Sequence, residues 1–428
     1  MKDKKAHIVA VNMGYGHQRT AYPLRIFSYD KKVINANDYK GIPKKDMKVW
    51  ESSRRFYEFI SRFKRVPLIG GLAFSLFDKL QQIPSFYPRR DLSAPTIGLK
   101  KIYSLIAKGW GRDLIDKLRE NPLPIITSFF IPAFMAEEFN YPGEIYCVVS
   151  DADCARAWAP LDPSKSRIKY FAPNLWVMNR LKLYGVKSEN IFLTGFPLPL
   201  KNIGTRKQEI LRKDLGERLV NLDPEKRFYD KYSPFIDKSM KIYHNKGTHP
   251  LTIMFAIGGA GAQKEMVIEY IKSLYPKIEK KKMNIYISAG IKKEVNDYFV
   301  DNLKKLKLSK NIGKNIEIIF DKDITKYFDV FSRKLRKTDI LWTKPSELSF
   351  YSGLGVPILM APTIGSQEDY NRRWLIGMGA GVQQLNLKYT DQWLFDYLNS
   401  GRFAEAALGG FIEVEKLGTY NIGKICFG

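Results

Sequence analysis

Short runs of uninterrupted apolar residues alternate along this chain with longer stretches in which apolar positions recur every three or four residues. The runs His7–Val11, Lys32–Asn35, Pro124–Thr127, Glu144–Ser150, Tyr170–Ala172 and Ile191–Thr194 predict buried strands in a first half. Leu251–Ile257, Asn284–Ser288, Ile316–Phe320, Ile340–Trp342 and Pro357–Ala361 predict them in a second. Leu99–Asn121, Arg206–Leu219, Lys264–Lys280, Lys292–Leu308 and Asp391–Ser400 carry the helical period. Strand and helix in alternation define an α/β class with doubly wound parallel sheets. The division expected is a domain over 1–200, a charged linker with an insertion over 201–250, a second domain over 251–390, and a C-terminal helix and tail over 391–428 that crosses back to the first domain.

Several strand ends run into small or polar loops, where chemistry is expected. After the first strand come Gly14, Tyr15, Gly16 and His17, a glycine turn opening a helix. The spacing is not that of a dinucleotide fingerprint. Gly258, Gly259, Ala260 and Gly261 follow the run at 251–257 in the same way. Glycines let the backbone turn tightly and approach a ligand, and a helix N-terminus favours phosphate. Thr343-Lys344-Pro345-Ser346-Glu347 is a third such loop, and Gly365-Ser366-Gln367-Glu368-Asp369-Tyr370-Asn371 a fourth. Gln367, Glu368 and Asn371 fall near one helical face and together offer donors and acceptors for several hydroxyls. Phosphate plus polyhydroxyl points to a nucleotide sugar. Asp151 and Asp153 stand at the end of a strand, where a general base belongs and where a helix cap is the plainer alternative. Trp158 and Trp176 read as packing.

These segments resemble, in order, the motifs of GT-B glycosyltransferases of the group that includes diacylglycerol glucosyltransferases, monogalactosyldiacylglycerol synthases and the peptidoglycan GlcNAc transferase. The matching segments are Gly14-Tyr15-Gly16-His17, Val148-Val149-Ser150-Asp151 through Trp158, Tyr170-Phe171-Ala172-Pro173 with Ile191 to Pro197, Gly258 to Gly261, Thr343-Lys344-Pro345, and Gln367-Glu368 with Asn371 and Gly379-Ala380-Gly381. The chain departs from the group at Ser346-Glu347, where the family has Gly-Gly, and at Ala155, where the diacylglycerol enzymes often have a histidine. Glu347 stands in for the family's ribose-binding glutamate.

The resemblance implies two Rossmann-like domains facing a cleft and transfer of a sugar, most simply from a UDP-sugar, to a lipid or lipid-linked hydroxyl. It implies no resident metal and no cofactor beyond the nucleotide sugar as co-substrate. Gly258, Gly259, Ala260, Gly261, Lys344, Ser346, Glu347, Gln367, Glu368 and Asn371 then bind the donor. Gly14, Tyr15 and Gly16 form an acceptor or phosphate loop. Asp151 is the base, His17 orients the acceptor or the diphosphate, and Asp153 is the alternative base. A GT-B-shaped sugar-nucleotide epimerase and a non-catalytic basic protein that binds lipid or nucleic acid are the rival readings.

Composition narrows this further. The chain has 428 residues, enough for two or three cores. Three cysteines and four histidines, scattered, make neither a disulfide framework nor a zinc spacing. There is no bilayer-spanning apolar run and no signal-peptide pattern at the start, so a cytoplasmic setting is expected. The net charge of +26 seeks anions, although a lysine-rich solvated surface carries the same excess. No zinc-finger, arginine-rich or RRM signature supports a nucleic-acid partner. Residues 55–90 interleave arginines with Phe56, Phe59, Ile60, Phe63 and a second apolar stretch, a pattern that suits an anionic membrane surface as well as an ordinary packed helix. The expected location is therefore peripheral, on the inner face of a membrane.

Overall fold

A computed structural model describes residues 5–52, 83–240, 247–256, 263–363 and 365–428. The chain forms two compact units. The first contains Met1–Pro197, Ile364–Asn371 and Leu417–Gly428, and the second Leu198–Thr363 and Arg372–Lys416.

The first unit is built on a six-stranded sheet in the order β2-β1-β3-β4-β5-β6. Its strands are β1 (His7–Ala10), β2 (Ile34–Asn35), β3 (Ile125–Thr127), β4 (Ile145–Val148), β5 (Lys169–Ala172) and β6 (Ile191–Leu193). Every pairing is parallel. β1, β3 and β4 are buried along their whole length, which is why they read as unbroken apolar runs. The expected helix at 99–121 is two helices, Ile97–Ala107 and Arg112–Arg119. The break falls where Gly111 takes φ 87° and Trp110 turns inward, edge-on to Trp50 at 4.7 Å. Thr96 caps the first helix, its hydroxyl accepting the Leu99 N–H at 3.2 Å. The last helix, Gly418–Phe427, packs Ile422 among Ile8, Leu24 and Phe27, and Asn421 Nδ2 donates to Thr194 O at 2.9 Å.

The second unit holds β7 (Leu251–Ala256), β8 (Met283–Gly290), β9 (Ile316–Phe320), β10 (Ile340–Thr343), β11 (Ile358–Met360) and β12 (Gly381–Gln383) in the order β12-β11-β10-β7-β8-β9. These pairings too are parallel. The sequence pattern missed β12, a three-residue strand whose outer residue is exposed. The helix expected over 264–280 ends at Ser273 and restarts at Tyr275, because Pro276 has no N–H to continue it.

Two boundaries differ from expectation. The described part of 201–250 is not a linker: Leu200–Ile203, Glu209–Leu222 and Arg227–Ser233 are helices of the second unit. Leu211, Leu215, Leu219 and Leu222 form a buried stripe beneath the charges that suggested a solvated connection. The return to the first unit begins at Leu417, not at 391, since Thr390–Asn399 and Arg402–Glu413 belong to the second unit.

At the amino end of this second sheet a polar cluster ties β7 to β10. Asp339 Oδ2 accepts the Thr252 N–H at 2.8 Å and Asn221 Nδ2 at 3.0 Å, while Oδ1 is buried with no partner. The Arg218 guanidinium donates to the carbonyls of Thr338, Leu354 and Gly355. Burial pushes the Asp339 carboxyl up to about 7, against the opposing pull of the Thr252 N–H, Arg218 and Asn221. The folded chain therefore holds this proton more tightly than the unfolded chain, whose carboxyl titrates near about 4. Stability from this group is present below that value, falls as pH rises to about 7, and is level above. Asp339→Asn removes the slope. Its melting temperature is expected to gain on the wild type between about pH 4 and about pH 7, and a gap independent of pH would contradict the buried proton.

Candidate functional site

In an open parallel sheet, ligands bind beyond the carboxyl ends of the strands, where the strand order reverses. In the first unit that point lies between β1 and β3. The loop after β1 carries Gly14, Tyr15, Gly16 and His17, and the loop after β3 carries Ser128 and Phe129. His17 joins the two: Nδ1 donates to Ser128 O at 2.9 Å. A carbonyl only accepts, so this bond puts the proton on Nδ1. The ring lies 4.6 Å from Phe129 and 6.3 Å from Trp158. Gly14 is exposed at φ 114°, a conformation a side chain would strain. Asn37 clamps the start of the same loop, accepting the Asn12 N–H at 2.7 Å and donating to Asn12 O at 3.2 Å.

Beyond β4 the chain passes through Asp151 and Asp153, which differ sharply. Asp153 is 1% exposed and faces Arg180, itself fully buried. Arg180 Nε reaches Oδ1 at 2.9 Å and Nη2 reaches Oδ2 at 2.8 Å, a two-point pair. Trp176 Nε1 donates to Oδ2 at 2.6 Å and the Cys154 N–H to Oδ1 at 2.8 Å. A carboxylate so enclosed has no face for a substrate proton, so Asp153 is an anchor and the alternative-base assignment is withdrawn. Asp151 is half-buried and accepts Asn371 Nδ2 at 3.0 Å. Trp158 is buried, with Tyr170 Oη donating to its carbonyl at 2.9 Å, which agrees with a packing role.

In the second unit the order reverses between β7 and β10, and a shallow open recess lies there. Phe255, Met266, Val267 and Trp342 give it apolar walls, and Gln263, Thr343 and Lys344 give it polar ones. Phe255, Trp342 and Tyr270 form an aromatic cluster with centroids 4.4–4.8 Å apart. Thr343 Oγ1 donates to Ala256 O at 2.9 Å, fastening the ends of the two strands. Gln263 Nε2 donates to Pro362 O at 2.9 Å. Among the described lining residues Lys344 is the one cation, and aromatic rings beside a cation suit a flat heterocycle joined to an anionic group.

The expected donor residues are divided by the fold. Lys344 lines the recess. Gly258, Gly259, Ala260 and Gly261 lie outside the described residues, although Gln263, just past them, reaches the recess. Ser346 precedes a 3₁₀ run, Glu347–Leu354, whose first residue is buried. Gln367 and Glu368 are half-buried on the helix Ser366–Gly377, in the part assigned to the first unit. Asn371, expected to share a sugar with them, is fully buried with its amide bonded to the Asp151–Ala152 turn, so it cannot do so. Phe255, Met266 and Trp342 were missed as recess residues. They look like core in a sequence, and only the position of Gln263 after the glycine loop marked the place. Among the described residues no three His, Cys, Asp or Glu side chains gather as a metal-ligand group.

Each of the two units is a Rossmann-like sheet of six parallel strands with flanking helices. Solved structures with a similar course include MurG of Acinetobacter baumannii, at 12% identity and a TM-score of 0.46, covering 99% of each chain. The S. aureus MnaA–UDP co-structure is similar at 13% identity and a TM-score of 0.48, over 97% of this chain and 94% of that one. The UDP-GlcNAc 2-epimerase of Methanocaldococcus jannaschii in complex with UDP-GlcNAc and UDP follows at 14% identity and 0.41, over 95% and 98%. These are distant likenesses of fold. A family model described as a domain of unknown function, DUF6938, matches residues 236–423. No curated protein matches the chain.

The Asp153–Arg180 pair yields a stability prediction. Asp153→Ala leaves Arg180 charged and buried, a change expected to cost about 3–5 kcal/mol. Urea unfolding measures it, and a variant as stable as the wild type would show that the pair does not anchor this loop.

Proposed function

We propose that the protein is a hexosyltransferase that moves a sugar from a nucleotide donor, a UDP-sugar, to a lipid or lipid-linked hydroxyl at a membrane surface. The observation that carries the reading is the recess at the reversal point of the second sheet, aromatic on its walls with Lys344 at its rim. There the base and ribose find apolar surface, and the lysine meets the diphosphate as the leaving group gathers charge. The acceptor oxygen attacks the anomeric carbon as the bond from that carbon to the diphosphate oxygen breaks. Asp151 takes the hydroxyl proton and His17 orients the acceptor. Gln367 and Glu368 hold the sugar hydroxyls. No resident metal is given a part.

Donor binding is tested by thermal shift against UDP, UDP-glucose, UDP-galactose, UDP-GlcNAc, GDP-sugars and NAD. Uridine nucleotides are expected to stabilise the protein, by about 2.7 kcal/mol at 100 times the dissociation constant. Lys344→Ala should lose most of that shift. Gln367→Ala and Glu368→Ala should keep it and lose turnover. Stabilisation by NAD alone would overturn the reading, and conversion of UDP-GlcNAc without any acceptor would replace it with epimerisation.

Residues 53–82 lie outside the described residues, so the membrane part rests on the basic charge and on the stretch that follows them in sequence. There Phe86 packs 4.3 Å from the Trp176 ring, Tyr87 is 62% exposed, and Arg89 lies over both Phe86 and Tyr87 at 5.8 and 6.0 Å. Among the described residues no helix is long and apolar enough to cross a membrane. Flotation with anionic vesicles is expected to carry the protein upward, less so as salt rises. Equal binding to neutral and anionic vesicles, or none to either, would reject the electrostatic part.

A further inference from the structure

The Asn371 side chain is fully buried, yet it stands one helical turn beyond Gln367 on the helix that also carries Glu368. Its amide is engaged at both ends. Nδ2 donates to Asp151 Oδ1 at 3.0 Å, and Oδ1 accepts the Ala152 N–H at 2.8 Å. A second asparagine closes on the same turn: Asn174 Nδ2 donates to Ala152 O at 3.1 Å, while its Oδ1 caps the next helix at Val177 N. Tyr370, just before Asn371, ties this helix to Ile83 O through its hydroxyl at 3.0 Å. The turn bearing Asp151 is thus gripped through the peptide groups of Ala152, and Asn371 adds a hold on the carboxylate itself.

We infer that Asn371 is a positioning residue for Asp151: it fixes the rotation of the carboxylate and sets its distance from Gln367 and Glu368, one turn earlier on the same helix and in the same compact unit. The inference rests on Asp151 as the base of the proposed transfer. The chemistry of the contact selects an amide. The carboxylate needs a donor and the Ala152 N–H needs an acceptor, and among side chains of this length asparagine supplies both without taking up a proton. An aliphatic residue would leave the buried N–H unpartnered, and an aspartate would set a second negative charge against the first.

Three full-length variants test this: Asn371→Asp, Asp151→Asn and the double exchange. Asn371→Asp keeps the shape and the acceptor for Ala152 but replaces the donor to Asp151 with a like charge. Melting temperature is read with and without UDP. Turnover is read as UDP release from UDP-GlcNAc, UDP-glucose and UDP-galactose with detergent-dispersed lipid as acceptor. Asn371→Asp is expected to melt lower, to bind UDP as the wild type does, to keep its KM for the sugar nucleotide, and to lose about 100-fold in kcat, the scale of a misplaced reacting group. The double exchange should recover the melting temperature, because an amide at 151 again donates to a carboxylate at 371. It should not recover turnover, because the carboxylate then stands on the wrong residue. Wild-type kcat in Asn371→Asp overturns the positioning role, and so does a raised KM with unchanged kcat. Wild-type turnover in Asp151→Asn overturns the base assignment itself, leaving the hydrogen bond untouched. If none of the three sugar nucleotides turns over, the melting temperatures decide: a double exchange no more stable than Asn371→Asp overturns the contact.

Discussion

All strands of each sheet run in one direction, and much else in this protein follows from that. A parallel strand cannot return by a tight turn, so the chain comes back over a face of the sheet as a helix. Every loop that leaves a strand's carboxyl end then gathers at one end of its sheet. Where the order reverses, between β1 and β3 in the first unit and between β7 and β10 in the second, neighbouring loops part and leave room. His17 and Ser128 meet at the first of these points, and Phe255, Thr343 and Lys344 line the second. Residues more than a hundred positions apart in sequence become neighbours because their strands are.

The loops at those ends are held by buried charge. Arg180 fixes Asp153, and Arg156 donates to the carbonyls of Ser93, Ala159 and Pro160 beneath the same loop. Arg218, which donates to the carbonyls of Thr338, Leu354 and Gly355, does comparable work at the far end of the second sheet. A charge removed from water is costly unless its partners are well placed, so each such group has few acceptable geometries. That rigidity fixes the turn that carries the half-buried carboxylate of Asp151.

Much of the fold was legible in the residues. Strands buried on both faces must be apolar throughout, and all eleven expected runs, from His7–Val11 to Pro357–Ala361, overlap observed strands with ends that agree within two residues. The weaker readings came where local signals competed. Charges over 201–250 hid the leucine stripe of Glu209–Leu222, and the turn at Trp110 cut a helix whose period ran on either side of it.

The sequence by itself determined the class of fold, the strand ends on which chemistry could stand, and the polar residue types there, because these depend on local pattern and backbone preference. It ranked Asp151 above Asp153, two residues apart and alike in kind, only through the family resemblance, and gave no physical reason to separate them. Only the tertiary structure set one against Arg180 in the core and the other half-exposed beside Asn371. The same holds for Asn371, which helical spacing placed with Gln367 and Glu368 and which packing turned inward. Whether a polar side chain serves a ligand or the fold depends on which distant groups meet it, and that is settled when the chain packs.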